Sequence, residues 1–311
     1  MIPTFPEFKK IEISDQAEIE NFTKDFPPYS DFDFGALFCW DVENKRQVSM
    51  LNGNLIVKFT DDTTGKEFLS FLGINDVSNT VNQLFEYAHS YGYKPILRMI
   101  PQEIANFYLD HDSSADTKED RDNFDYIYSI PELCAYAGSK FGKIRNLHGR
   151  FLRDYENRYR VESFDLSVLN THTTLERLWG NWCEIKETFS ERESIAKNRL
   201  LNNVSTFNLI NVMIFVDDKP IAFTVNGVMN KEYAITYFSK TNSLYYGINA
   251  MLMRETAKEL NKKNYKFLNY EEDLGLPGLR HAKQSYQPLF FLKKYTIEHK
   301  RGTLKRFFNV L

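Results

Sequence analysis

From position 269 the chain reads Asn269-Tyr270-Glu271-Glu272-Asp273-Leu274-Gly275-Leu276-Pro277-Gly278-Leu279-Arg280-His281-Ala282-Lys283-Gln284-Ser285-Tyr286-Gln287-Pro288, a compact set of groups able to move protons and hold anions. Acyl transfer to an amine or a hydroxyl needs a base to take a proton, a cation or amide donors for the oxyanion, and an acid for the leaving group. Glu271, Glu272 or Asp273 can supply the base and Tyr286 the acid, with Arg280 and Lys283 on one face if their segment is helical. A non-catalytic reading stays open, in which the carboxylates are exposed loop and capping groups paired with Arg280 and Lys283.

A second set lies in Lys140 to Arg160, where seven basic residues meet only Asp154 and Glu156. Ile144, His148, Phe151 and Tyr155 fall at helical spacing, so one face can pack while Lys143, Arg150 and Arg153 point elsewhere. Asn146 and Gly149 stand where better helix formers would serve a purely structural helix. The cluster is therefore expected to hold an anion, the alternative being a solvated face. Lys293, Lys294, Lys300, Arg301, Lys305 and Arg306 form another basic cluster, read first as a solvated face. Net charge is only −3, so any anion affinity must be local.

The elements that position these groups can be read twice. Arg46 to Leu51 and Leu55 to Phe59 flank Asn52-Gly53, the strongest short hairpin signal. After Thr63-Thr64-Gly65 come an apolar run at Phe68 to Leu72, an amphipathic stretch at Val77 to Tyr91 and a run at Pro95 to Ile100. The second copy is Leu209 to Val216, a turn at Asp217-Asp218-Lys219, the alternation of Ile221, Phe223 and Val225, then Tyr233 to Phe238, a helix at Gly247 to Lys263 and a strand at Tyr265 to Tyr270. A meander closed by a helical crossover brings the chain back parallel to its starting strand and gives a mixed sheet. The fold class is thus α/β (α+β) with two related domains, drawn as 1–135 and 136–311 with the boundary near Asp120 to Gly138, where acidic composition gives way to basic. The 311 residues suit two cores.

Composition excludes several classes. The 42% hydrophobic and 26% charged content is ordinary for a globular protein, although 26 Phe and 18 Tyr are generous and point to aromatic cores. Met1 to Pro6 lacks the pattern of a secretory signal, and no apolar run approaches about 18 residues. With Cys39, Cys134 and Cys183 far apart, a reducing, cytoplasmic setting is expected. His89, His111, His148, His172, His281 and His299 show no metal spacing, so no metal site is expected. Trp179 and Trp182 fit a packed helix face. Gly-x-Ser-x-Gly, Walker and Gly-x-Gly-x-x-Gly patterns do not occur.

Ordered blocks along the chain carry a resemblance. These are Phe26-Pro27-Pro28-Tyr29-Ser30, Phe38-Cys39-Trp40, Asp120 to Tyr128, Lys143-Ile144-Arg145-Asn146 with Arg150-Phe151, Tyr246 to Asn249, Asn269 to Asp273, and Gly278 to Lys283. Together they resemble the phosphatidylglycerol lysyltransferase C-terminal domain family over nearly the whole chain. The resemblance implies a tandem of acetyltransferase-like (GNAT) domains, the second catalytic. It further implies transfer of an aminoacyl group from aminoacyl-tRNA to a lipid headgroup or, as in Fem-type enzymes, to a peptidoglycan precursor.

Two departures matter. Enzymes that use coenzyme A usually cradle its pyrophosphate in a glycine-rich turn at a helix N-terminus, whereas Thr241 to Asn249 contains one glycine. Ser239 stands in a strand where related sequences often place a carboxylate. The expected activity is aminoacyl transfer to an amine or hydroxyl acceptor: a small molecule, a peptide or a lipid headgroup. Lys143 and Arg145 would hold phosphate or oxyanion, and Glu272 or Asp273 would act as base. Asn146, Arg150, Tyr246, Asn249, Asn269, Glu271, Arg280 and Lys283 would line the substrate site. An acyl-coenzyme A dependent N-acyltransferase and a catalytically silent anion-binding protein are the alternatives.

Overall fold

The computed structural model describes residues 1–61, 65–112, 114–186 and 190–300, without the side chains of 169–170 and 185–186. Thr63, Thr64, Arg301, Lys305 and Arg306, named above, lie outside the described residues. The chain divides into two units, one formed by Met1–Phe124 and the segment from Leu292, the other by Asp125–Phe291.

The first unit contains β1 (Lys9–Lys10), α1 (Gln16–Thr23), α2 (Phe34–Cys39), β2 (Gln47–Leu51), β3 (Asn54–Thr60), β4 (Glu67–Leu72), α3 (Val77–Ser90), β5 (Ile96–Pro101), α4 (Gln102–His111) and β6 (Ala115–Glu119). The second contains β7 (Asp125–Ser129), α5 (Ile130–Ala135), α6 (Gly142–Asp154), β8 (Tyr159–Phe164), α7 (Leu169–Lys186), α8 (Glu191–Leu201), β9 (Leu209–Val216), β10 (Lys219–Val228), β11 (Tyr233–Thr241), α9 (Ile248–Lys262), β12 (Phe267–Asn269) and α10 (Pro277–Ser285). β13 (Phe290–Leu292) joins the second sheet, and β14 (Lys294–His299) returns to the first.

Both sheets follow one plan. Their strand orders are β1-β2-β3-β4-β5-β14-β6 and, read from the opposite edge, β8-β9-β10-β11-β12-β7-β13. In each, three antiparallel pairings are followed by one parallel pairing, β4 with β5 and β11 with β12. The doubled order read from the sequence is therefore real. The hairpins are set by backbone chirality, since Asn52 and Gly53, and likewise Asp217 and Asp218, all have positive φ as a type I′ turn requires. Helix α3 packs Val77, Val81, Leu84 and Phe85 on the first sheet, and α9 packs Ala250, Met253, Ala257 and Leu260 on the second.

The sixth strand of each sheet comes from the other half of the sequence. β7 follows β6 but pairs antiparallel with β12, and β14 follows β13 but pairs antiparallel with β5 and β6. The units consequently part between Phe124 and Asp125, and residues from Leu292 fall in the first, where the sequence drew 1–135 and 136–311. Strand exchange leaves no compositional mark, because a β-strand reads the same in either sheet. Within the first unit, Lys294 is fully buried against Asp31 and Ser30, and Lys293 donates to Glu119 at 2.6 Å. Of these two members of the C-terminal basic cluster, Lys294 is thus buried and paired, while Lys293 is paired at the surface.

Candidate functional site

In the second unit the parallel strands part early. β11 and β12 pair only from Tyr233↔Phe267 to Ile235↔Asn269, while β11 runs on to Thr241. A bulge drives the parting, because the β10–β11 register shifts between Val225 and Asn226, leaving Tyr237 without an opposite partner. The loops leaving the C-terminal ends of both strands carry the residues singled out above. That end of an open α/β sheet is where ligands usually bind.

The loop after β12 is tightly wound, with Glu271, Leu274 and Gly275 all at positive φ. Asn269 starts it: its Oδ1 accepts from the Glu271 amide at 2.8 Å and its Nδ2 donates to Asp125 Oδ2 at 3.1 Å, on β7. Asp273 is fully buried, and four donors converge on its carboxylate. Arg280 donates from Nε at 2.9 Å and from Nη2 at 2.7 Å, Tyr126 Oη at 2.6 Å and the Gly275 amide at 3.0 Å. A base must present a lone pair to substrate, whereas this carboxylate is fully buried and anchors its loop through these four donors. The Arg280 guanidinium grips Asp273 bidentately.

Lys283 lies one turn further along α10, buried, with its ammonium donating to the carbonyls of Tyr270 and Glu272 at 2.5 Å each. Burial pulls its pKa down, and the charges of Glu272, Glu271, Asp125 and Asp273 pull it back up. It staples the loop from within. Glu272 is different: half-buried, it has no hydrogen-bond or ion-pair partner for its carboxylate among the described residues, yet it sits within electrostatic reach of the Lys283 ammonium.

Three tyrosines line the same region. Tyr128 meets Tyr270 and Tyr286 edge-on, with ring centroids 5.9 and 6.4 Å away. Burial holds the Tyr286 hydroxyl well above the usual phenol range, so it stays protonated. The Tyr270 hydroxyl is raised for the same reason and is held by a hydrogen bond with Ser239. The position that lacks a carboxylate thus holds a hydroxyl engaged with Tyr270, a contact no local pattern announces.

The basic helix α6 meets the loop after β11. Gly247, at φ +83°, begins α9 so close to α6 that an added Cβ would stand 2.2 Å from the Leu147 carbonyl oxygen. The Arg150 guanidinium lies over the Tyr246 ring, 4.0 Å from its centroid, and Thr241 Oγ1 donates to Asn249 Oδ1 at 2.8 Å. The end of β11 therefore links the two groups of candidates, through Ser239 to Tyr270 and through Thr241 to Asn249. Lys143 and Asn146 are exposed on α6. The Arg145 guanidinium caps α5 through the carbonyls of Tyr136 at 2.7 Å and Gly138 at 2.9 Å. His148 is buried, and burial with Arg254 and Lys258 lowers its pKa to about 4; its neutral Nε2 accepts from Arg254 Nη1 at 3.1 Å.

On the far face of β11, Trp179 packs against Phe223 and Phe238 as core, and Trp182 covers the ammonium of Lys240 at 3.7 Å. No group of three or more metal-ligating side chains occurs among the described residues.

Residues 23–298 match the family described as phosphatidylglycerol lysyltransferase, C-terminal. The chain belongs to this family, and its fold is a tandem of two α/β units that share one strand plan. It superposes on the structure of a conserved protein of unknown function from Bacteroides thetaiotaomicron with a TM-score of 0.82 at 27% identity, covering 96% of this chain and 100% of that one. It superposes on the C-terminal domain of a putative lysylphosphatidylglycerol synthetase from Agrobacterium fabrum with a TM-score of 0.65 at 15% identity, covering 92% and 93% of the two chains. An uncharacterized protein of Mycoplasmoides gallisepticum is 20% identical over 173 residues, which span 56% of this chain and only 55% of that relative. No helix among the described residues is long and apolar enough to cross a membrane.

Proposed function

We propose that the second unit transfers an aminoacyl group from an aminoacyl-tRNA to an amine or hydroxyl acceptor, with Glu272 as the base. The observation that carries this reading is the contrast inside one loop, where Asp273 is saturated by four donors and Glu272, next to it, has a carboxylate without a hydrogen-bond or ion-pair partner among the described residues, near a buried ammonium. In the reaction the acceptor nitrogen or oxygen bonds to the ester carbonyl carbon, and its proton passes to Glu272. The bond from that carbon to the tRNA ribose oxygen then breaks, and this oxygen takes up a proton. Tyr286, kept protonated by burial, is the donor proposed for the leaving oxygen. Lys143 and Arg150, exposed on α6, suit the phosphates of a polyanionic donor.

Coenzyme A is disfavoured as donor carrier, since the one glycine before α9 is taken up in fitting Leu147 rather than in opening a phosphate cradle. The test supplies the purified chain with a mixture of labelled aminoacyl-tRNAs and a panel of amine, peptide and lipid-headgroup acceptors. Label should move to an acceptor, and Glu272→Gln should slow it by roughly 10²- to 10⁴-fold. Transfer from acyl-coenzyme A alone, or normal turnover in Glu272→Gln, would overturn the assignment.

A further inference from the structure

Five lysines are buried among the described residues, and four of them meet an acceptor suited to an ammonium. Lys294 pairs with Asp31, Lys240 with Glu193, Lys197 with Glu176, and Lys283 with two carbonyls. Lys58, on β3 of the first unit, is the exception. It is 8% exposed, and among the described residues its Nζ donates only to the Tyr87 hydroxyl of α3, at 3.1 Å. The Phe8 ring lies 4.3 Å from this nitrogen and the Tyr87 ring 5.4 Å. Rings attract a cation, but an ammonium has three N–H groups, and a buried charge is costly unless it is paired and hydrogen-bonded.

The neighbouring strands do not supply the missing acceptor. Glu67 of β4 stands two residues before Leu69, the ladder partner of Lys58, and so shares its face of the sheet, but its carboxylate is taken by the Tyr93 hydroxyl at 2.5 Å. Gln47 of β2 is directly opposite Lys58, half-buried, and its side chain has no hydrogen-bond partner among the described residues. Tyr87 accepts from Lys58, which leaves its own O–H without an acceptor among those residues. Donors from β2, β3 and α3 thus share one face with no carboxylate paired to them. Aromatic rings stand beside them: Tyr91 packs on Tyr87 with ring centroids 4.4 Å apart, lies nearly parallel to Tyr93 and is 62% exposed.

We propose that Lys58, Tyr87 and Gln47 form a site for a small aromatic carboxylate on the first unit, the carboxylate accepting from the ammonium and the phenol while the ring of the ligand lies against Tyr91. One full positive charge matches one carboxylate, whereas a phosphate dianion calls for more cationic partners than this face holds. An uncharged aromatic leaves the ammonium as it stands. The site belongs to the first unit and depends on no transfer chemistry, so its test is separate from that of the transfer reaction.

The full chain is titrated by calorimetry with phenylacetate and indole-3-acetate, and with phenylacetamide and inorganic phosphate as counterparts that lack the carboxylate or the ring. Saturable binding of at least one carboxylate is expected, with phenylacetamide weaker by about tenfold or more, the loss of a charge-assisted hydrogen bond. Lys58→Met keeps a long side chain, removes the ammonium and should weaken carboxylate binding by about tenfold or more. Tyr91→Ala, at an exposed position, should leave the circular dichroism unchanged and weaken binding about fivefold through the lost ring contact. Should Lys58→Met fail to fold, Tyr91→Ala and the amide comparison decide the matter alone. Absence of saturable heat with both carboxylates up to about 10 mM overturns the proposal. So does equal binding of phenylacetamide, carboxylate binding that folded Lys58→Met retains in full, or phosphate bound in preference to either carboxylate.

Discussion

The two units share a strand order and differ at the point where their parallel strands part. In the first, β4 and β5 have one ladder pair, Leu69↔Leu97, and the gap is sealed by Ser70 Oγ donating to the Met99 carbonyl at 3.2 Å. The loop before α3 is stitched to the β2–β3 turn, with Asn54 Nδ2 donating to the Asn75 carbonyl at 2.7 Å and the Asn75 amide to Asn54 Oδ1 at 3.1 Å. β5 runs directly into α4 at Gln102, leaving no loop to carry side chains. In the second unit, residues 242–247 and 270–276 intervene at the two equivalent places and hold the carboxylates, Tyr246 and Tyr270. One topology can thus serve as scaffold or as site, and the difference lies in loop length and in whether polar side chains close the gap.

The largest expected effect tests that contrast directly. Glu272→Gln should reduce transfer by the 10²- to 10⁴-fold stated above, whereas Asp76→Asn, at the entrance to α3 in the first unit, should leave the rate within about twofold. Comparable loss from both would mean that the first unit takes part in the chemistry.

Next come changes that act on stability. Asp273→Asn leaves Arg280 without its charge partner and should lower unfolding free energy by about 3 kcal/mol, read from the urea midpoint. If Asp273 were the base instead, its amide would fold as well as the native chain and fail only in turnover. Gly247→Ala places a Cβ against the Leu147 carbonyl at positive φ and should destabilise by roughly 3 kcal/mol. Gly92→Ala, at φ +75° with open space around it in the first unit, should cost only about 1 kcal/mol.

Acid should weaken the protein through His148. In the folded chain this ring stays neutral down to about pH 4, while an unfolded histidine protonates near 6.5. Between those values the unfolded state binds more protons, so stability falls as pH drops from about 6.5 to about 4, by about 3 kcal/mol. His148→Gln should flatten that slope.

The smallest effect concerns charge. Lys143→Ala should lower the salt slope of tRNA binding by about one unit, and Lys293→Ala, paired with Glu119 in the first unit, should not change it. Equal slopes in both variants would remove α6 from the donor site.

The sequence by itself determined the local elements and their repetition. Asn52-Gly53 and Asp217-Asp218 impose positive φ whatever surrounds them, and the periodicity of β10 and α9 follows from which faces must leave water. It also placed the candidate site on the loop from Asn269, because three adjacent carboxylates beside Arg280 and Lys283 are legible as chemistry in any context. The fate of each carboxylate was decided only by tertiary structure. Glu272 and Asp273 are neighbours of similar type, but Asp273 is held by Tyr126 from β7 and Arg280 from α10, while the Glu272 carboxylate has no hydrogen-bond or ion-pair partner among the described residues. Tyr126 lies 147 residues from Asp273 in sequence, and it reaches that carboxylate only because β7 pairs with β12. The same holds for Lys283, whose ammonium reads as a substrate ligand in the sequence and becomes an internal staple once carbonyls 270 and 272 converge on it. Charge and periodicity are local properties, whereas burial and hydrogen-bond partners depend on which distant strands the fold sets side by side.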